Sequence, residues 1–158
     1  MQSRETLILR AAHRSEARQL ASMSRLLVEH GLRWRWTADR IRRAIEDPET
    51  MVLVASVDGD VAGFAIMKFG DEEAHLLLLA VVPPRRRAGT GRKLVAWLEK
   101  SAQTAGIRRV RLEVRTANTP ARAFYYGLGY QYLGQLPGYY DGREPASIYA
   151  KSLIARGN

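Results

Sequence analysis

Apolar and polar residues alternate along this chain in two distinct periods. Thr6 to Ala11 (Thr-Leu-Ile-Leu-Arg-Ala) reads as a first strand. From Ser15, a candidate cap, the spacing of Leu20, Met23, Leu26 and Leu27 predicts one apolar helix face running to His30, with Gly31 ending it. Thr37 opens a second helix carrying Ile41 and Ile45, and Pro48 forbids its continuation. Met51 to Val57 and Val61 to Phe69 are strands joined by an Asp58-Gly59 turn. Gly70-Asp71-Glu72-Glu73 turns the chain into a strand over 74–82, and a helix follows over 91–105, stopped by Gly106. Val110 to Arg115 alternates as a strand. Asn118 or Thr119 starts a helix with Pro120 in its first turn, ending near Leu128-Gly129. Tyr130 to Gln135 and Ser147 to Leu153 close the chain as a strand pair.

The predicted order is β-α-α-β-β-β-α-β-α-β-β, an α/β (α+β) fold with a mixed sheet. No repeat, linker or low-complexity segment divides it, so residues 1–158 are read as one domain of sufficient length for a real core.

Composition narrows the chemistry. There is no cysteine, which excludes disulfides and thiol catalysis, and the three scattered histidines have no metal-ligand spacing, so no metal is expected. The sequence holds no apolar run of transmembrane length, and Met-Gln-Ser-Arg-Glu-Thr has no signal-peptide character, so the expectation is a cytoplasmic protein without membrane contact. The net charge of +9 points toward a phosphate-rich partner and away from polycationic substrates such as polyamines or aminoglycosides. Arginines cluster at 33–43, 85–92 and 108–115.

The second cluster has loop chemistry. Val81-Val-Pro-Pro-Arg-Arg-Arg-Ala-Gly-Thr-Gly91 joins a strand to a helix start. Glycines there let backbone N–H groups approach a ligand, the helix N-terminus adds unpaired donors and partial positive charge, and arginines add forked donors. The sum is a phosphate or pyrophosphate site. A nucleoside-triphosphate loop is excluded, because no Gly-Lys-Ser/Thr follows, and the dinucleotide Gly-x-Gly-x-x-Gly spacing is absent.

Arg86-Arg87-Ala88-Gly89-Thr90-Gly91 resembles the acetyl-CoA loop Arg/Gln-x-x-Gly-x-Gly/Ala of the GNAT superfamily of N-acetyltransferases. Asn118-Thr-Pro-Ala-Arg-Ala-Phe-Tyr-Tyr-Gly-Leu-Gly-Tyr130 resembles that family's later motif, and Gly138-Tyr-Tyr-Asp-Gly-Arg-Glu-Pro-Ala-Ser-Ile-Tyr149 resembles the last strands of its RimI-like N-terminal acetyltransferases. The resemblance covers roughly residues 75–153. It implies the GNAT acyl-CoA N-acyltransferase fold, with a gap between the strand ending at Val82 and the strand starting at Val110 that admits acetyl-CoA.

Residue by residue, the resemblance implies Tyr125 as the acid toward the departing thiolate. Its phenol, with an ordinary pKa of about 10, stays protonated at neutral pH. Two positions compete for the base. His75 stands where many members carry a glutamate, and Glu113 stands twelve residues before Tyr125, where RimI-like enzymes carry an acid; a water relay through both is a third arrangement. Ala80, Val81 and Val82 would supply backbone donors to the oxyanion and pantetheine. Arg86, Arg87, Ala88, Gly89, Thr90, Gly91, Arg92 and Lys93 would hold the phosphates, joined by Arg122, and Asn118 would bond the pantetheine or a phosphate, or else serve only as a helix cap. Trp34 and Trp36 between the first two helices, and Tyr139 and Tyr140 in a late loop, would line the acceptor side.

The reading is acetyl transfer from acetyl-CoA to a primary amine of a protein or peptide, an N-terminal amine or a lysine, with a ribosomal protein among the acceptors. The alternative is a small-molecule amine acetyltransferase; the non-enzymatic alternative is a basic nucleic-acid-binding or CoA-sensing module, which no nucleic-acid motif supports. Monomer and homodimer are both left open.

Overall fold

The computed structural model describes residues 5–86 and 88–154. In chain order the elements are β1 (Leu7–Ala11), a 3-10 turn (Arg14–Glu16), α1 (Ala17–Leu27), α2 (Ala38–Glu46), β2 (Thr50–Val57), β3 (Asp60–Phe69), β4 (Glu73–Val81), a second 3-10 turn (Pro83–Arg85), α3 (Thr90–Thr104), β5 (Arg109–Arg115), α4 (Thr119–Gly127), β6 (Gln131–Tyr140) and β7 (Glu144–Ser152). The seven strands form one sheet in the order β1-β2-β3-β4-β5-β7-β6, antiparallel except for the β4–β5 pair. This is the mixed sheet and the element order that the sequence predicts.

Two cores flank the sheet. On one face α3 and α4 bury Leu94, Val95, Leu98, Ala102 and Tyr125 against Leu53, Ala65, Leu76 and Leu112. On the other, α1 and α2 bury Leu20, Ala21 and Ile41 against Val52, Val54, Phe64 and Leu78. β2 and β3 are therefore apolar on both sides, whereas β5 alternates: Val110, Leu112 and Val114 enter the α3–α4 core. By the two-residue period, Arg109, Arg111, Glu113 and Arg115 stand on the opposite face.

β4 changes sides part-way. Ile66 pairs with Leu78 but Met67 pairs with Leu76, so Leu77 is an extra residue in a β-bulge. Ala74 and Leu76 enter the α3–α4 core; Leu77, Leu78 and Ala80 enter the α1–α2 core. A one-residue slip inverts which side chains face which way. The β4–β5 pairing ends at the same place: the register runs from Glu73↔Arg109 to Leu76↔Leu112 and no further.

Three expectations are corrected. The first helix is shorter: Ser15 lies inside the 3-10 turn rather than capping, and α1 stops at Leu27, three residues before His30. Its buried face is Ala17, Leu20, Ala21 and Ser24, while Leu26 is 69% exposed. The reason is Glu29. Its amide reaches back to the Ser24 carbonyl (2.8 Å), and its buried carboxylate accepts from Ser24 Oγ (2.8 Å), Arg35 N (2.6 Å) and Trp36 N (3.2 Å). That anchor bends the chain out of the helix and folds the α1–α2 connection around a single side chain. Second, β6 extends through Tyr140 instead of ending at Gln135, so Tyr139 and Tyr140 are strand residues and not loop residues. Register shifts between Tyr132 and Gly134 and between Leu136 and Tyr140 absorb the Gly-Pro-Gly interruptions that hide this strand's period. Third, β7 begins at Glu144, three residues before Ser147.

Removing the Glu29 anchor by Glu29→Ala leaves a buried amide, a part-buried amide and a buried hydroxyl without their acceptor. We expect a loss of about 2–4 kcal/mol in urea-unfolding stability. A stability within about 0.5 kcal/mol of the parent contradicts the anchoring role.

Candidate active site

The unpaired ends of β4 and β5 leave a gap at the middle of the sheet, beyond Leu76 on one side and Leu112 on the other. Ala80 is buried and Val81 half-buried at the far end of β4. The Val82 amide is committed to the Ala62 carbonyl (2.9 Å), so of the three predicted backbone donors this one is engaged within the protein.

The Arg-Gly loop leads from this gap into α3. Gly89 caps the helix at φ 84, and a Cβ built on it meets nothing within 4 Å. Its role is therefore conformational and spatial: it allows the left-handed cap and leaves the first-turn amides open. Gly91 has a different reason. A Cβ there would come 3.2 Å from the Phe124 ring, so Gly91 lets α3 seat against α4. Thr90 is buried, and Ala88, Arg92 and Lys93 are exposed around the helix start. Arg86, also exposed, folds back so that its Nε donates to the Val81 carbonyl (3.1 Å) and ties the loop to the end of β4. Arg87 lies outside the described residues. The open left-handed cap, the free helix start and the exposed cations fit a pyrophosphate.

Asn118 caps α4, its side-chain oxygen accepting from Ala121 N (3.2 Å), and remains exposed. Arg122 is more committed than expected: it donates to the Tyr149 hydroxyl (3.1 Å) and to the Thr116 carbonyl (3.2 Å). The first bond holds α4 against β7 and the second ties it to the β5–α4 connection.

Tyr125 is buried on α4, packed edge-on between Phe124 (5.1 Å) and Tyr130 (5.7 Å). Burial, with a smaller contribution from Tyr140, raises its pKa above the ordinary tyrosine value, so it holds its proton. Tyr130 differs: it donates its proton to Glu99 (2.8 Å). Tyr126, the alternative in the same motif, is 76% exposed.

Across the sheet, His75 Nε2 and Glu113 Oε2 lie 2.5 Å apart. The two base candidates thus form one hydrogen-bonded pair. Glu113 is the inner member, with 8% of its side chain exposed against 27% for His75. Arg111, opposite His75 in the register, brings its Nε 3.3 Å from the other Glu113 oxygen. Leu112 faces the core that holds Tyr125, so Glu113 faces away from it. Proton donor and proton acceptor accordingly lie on opposite faces of the sheet at the gap.

The acceptor side is built from two connections that meet. Asp141, at φ 56 in the β6–β7 turn, accepts from Arg33 N (2.8 Å) and faces Arg35 (3.6 Å). Arg115 donates to the His30 carbonyl (2.7 Å). The tryptophans divide: Trp36 is a core residue with Arg40 stacked 3.8 Å over its ring, while Trp34 is 36% exposed beneath Arg25. Trp36 thus supports the wall rather than lining it. Tyr139 is exposed and Tyr140 half-buried, their rings 4.9 Å apart. Burial raises the pKa of both.

Sequence reasoning missed Glu29, Asp141, Arg40 and Arg111. Asp141-Gly142 repeats the Asp-Gly signal already used at Asp58-Gly59 and could have located the turn. The other three carry no local signal, because their roles depend on partners distant in the sheet or loop. Among the described residues no group of His, Cys, Asp or Glu could hold a metal ion, and no helix is long and apolar enough to cross a membrane.

Comparison with known proteins agrees with this architecture. The family model described as "Acetyltransferase (GNAT) family" matches residues 15–130. The chain is 36% identical over 99 residues to an uncharacterized N-acetyltransferase of Methanocaldococcus jannaschii (62% of this chain, 64% of that protein). It is 38% identical over 96 residues to the [ribosomal protein bS18]-alanine N-acetyltransferase of Escherichia coli (59% and 65%). The matched segments thus span just under two thirds of these relatives. The crystal structure of the Escherichia coli ribosomal-protein-S18-alanine N-acetyltransferase superposes with a TM-score of 0.79 at 26% identity over 97% of both chains. Ard1 from Thermoplasma volcanium superposes with a TM-score of 0.83 at 25% identity, covering 94% of this chain and 99% of that one.

Gly89→Val places a β-branched side chain at a left-handed position and in the open space over the helix start. We expect the affinity for CoA, measured by calorimetry, to fall by about tenfold or more. An unchanged Kd refutes the assignment of this loop to the pyrophosphate.

Proposed function

The chain belongs to the acetyltransferase (GNAT) family, and on that premise we propose that it is an acetyl-CoA-dependent N-acetyltransferase whose acceptor is a peptide or protein amine. The observation that carries this reading is the disposition of Tyr125 and the His75–Glu113 pair on opposite faces of the sheet at the β4–β5 gap. Acetyl transfer to an amine requires a proton acceptor on the side where the amine arrives and a proton donor where the thiolate departs.

In this reading the α3 N-terminus, Gly89 and the exposed Arg86, Arg92 and Lys93 hold the phosphates of acetyl-CoA, and the free edges of the gap admit its pantetheine arm. When bound, acetyl-CoA supplies the activated acyl carbon. Tyr125 keeps its proton because burial disfavours the phenolate, and it yields that proton to the leaving sulfur. His75 is the more exposed partner and receives the proton of the attacking amine, while Glu113 fixes the imidazole through the 2.5 Å contact. With Nε2 bonded to Glu113, Nδ1 is the nitrogen left to accept. Arg111 lies 3.3 Å from the far oxygen of Glu113 and offsets its charge without a hydrogen bond to it.

The peptide or protein acceptor is supported by the relatives named for alanine acetylation of ribosomal protein bS18 and by the position of Tyr139 and Tyr140 beside the base pair. Acceptance of a ribosomal protein is part of this proposal. The groove over β5 is bounded by the α1–α2 connection and the β6–β7 turn, and the ties through Asp141 and Arg115 hold both boundaries in place.

Tyr125→Phe keeps the ring and deletes the proton; turnover should fall by about 10- to 1000-fold with little change in CoA affinity. His75→Ala and Glu113→Gln should each lower turnover at neutral pH by about 10- to 100-fold, and the deficit should shrink as pH rises and more of the amine is already neutral. Because the two act as a unit, the double variant should be no slower than the slower single one. Wild-type pH–rate profiles in all three variants contradict the pair as base.

A further inference from the structure

Beside the base pair, the acceptor side carries arginines that no carboxylate closes off by a hydrogen bond. Arg35 on the α1–α2 connection lies 3.6 Å from Asp141 in the β6–β7 turn, Arg40 in the first turn of α2 lies 3.8 Å over Trp36, and Arg111 on β5 lies 3.3 Å from Glu113; their charges reach the Tyr139 hydroxyl together. Arg40 lies 3.8 Å over the Trp36 ring, and among the described residues it makes no ion pair, although the buried Glu29 carboxylate acts on it from a distance. Stacking fixes the plane of a guanidinium and leaves its edge donors pointing outward. Arg35 reaches Asp141 only at 3.6 Å, beyond hydrogen-bond range, while that carboxylate already accepts from Arg33 N at 2.8 Å. Arg111 approaches Glu113 at 3.3 Å and Glu73 at 3.7 Å, yet its buried Nε makes no hydrogen bond. These are oriented, under-satisfied forks next to the place where the amine is deprotonated, the arrangement that recognises a carboxylate.

We infer that the preferred acceptor is a peptide amine followed within its first few residues by an acidic side chain, which Arg35 and Arg40 bind while the amine sits at His75. The inference rests on the peptide-amine reading above and specifies its substrate class. An extended peptide advances about 3.5 Å per residue, so a carboxylate one or two residues behind the amine stays within the same groove. A lysine- or arginine-rich N-terminal segment meets like charge at the same place and is disfavoured.

The test compares three peptides with a common serine amine and common distal sequence, carrying Asp-Glu, Ala-Gln or Lys-Arg at positions two and three. With acetyl-CoA saturating, kcat/KM for the acidic peptide should exceed that for the neutral one by about tenfold and that for the basic one by about a hundredfold at low salt. The spread should narrow as ionic strength rises, because the groove is open to solvent. Arg35→Gln and Arg40→Gln should each shrink the acidic-to-neutral ratio by about threefold or more, through KM. Equal rates for the three peptides, or a basic preference, overturns this inference and leaves peptide acetylation standing. Acetylation of small amines only, or of no amine, removes the peptide-amine reading and the inference with it.

Discussion

The extra residue Leu77 sets where the sheet opens, and the site depends on that opening. A regular β4 would continue its ladder with β5 past Leu76 and keep Leu78 and Ala80 on the face of Ala74 and Leu76. With Leu77 inserted, the second half of the strand turns its side chains to the α1–α2 core, and its pairing with β5 ends. Three leucines in adjoining positions make the inversion favourable, because Leu76, Leu77 and Leu78 all find apolar surroundings on one side or the other. The chain thereby opens a slot through the middle of its sheet.

The slot separates two chemistries. On the α3–α4 side the surroundings are aromatic and buried, and Tyr125 is held as a neutral phenol. On the other side β5 shows its polar alternation, and His75, Glu113 and Arg111 form a charged row. That face is not roofed by a helix; it is bounded by connections that need their own scaffolding. Glu29 gathers the α1–α2 connection from within, and Asp141 and Arg115 tie it to the last hairpin and to β5. The polar groups of this loop are thus satisfied by side chains where no regular ladder is available.

Much of this was legible in the sequence, for identifiable reasons. Thr37 does cap α2, accepting from Arg40 N, and Asp58-Gly59 does turn β2 into β3, because both signals are short-range and chemical. The Asn118 cap was readable for the same reason, whereas the Gly-x-Gly loop marked the start of α3 without singling out Gly89 as its cap. The start of α1 was misplaced because capping at Ser15 competes with a 3-10 turn led by His13, whose amide bonds to Glu16 (2.8 Å). β6 was cut short because bulges and two glycines break its two-residue period, while its pairing with β7 carries it on to Tyr140. In the site, His75 and Glu113 were separate candidates in the sequence; their contact arises from the β4–β5 register, which no local pattern encodes. Trp36 and Trp34 were indistinguishable until the Glu29 anchor turned one inward and left the other at the surface.

The claim on which the rest turns is that the unpaired edges of β4 and β5 receive the acetyl-CoA arm. Amide hydrogen exchange with and without CoA measures this directly. In the free protein, amides of residues 77–81 and 113–115 that point into the gap should exchange much faster than those of the paired residues 73–76 and 109–112. Bound CoA should protect the β4 segment and the first turn of α3 together. Protection confined to other elements, with the gap amides unchanged, would contradict the account.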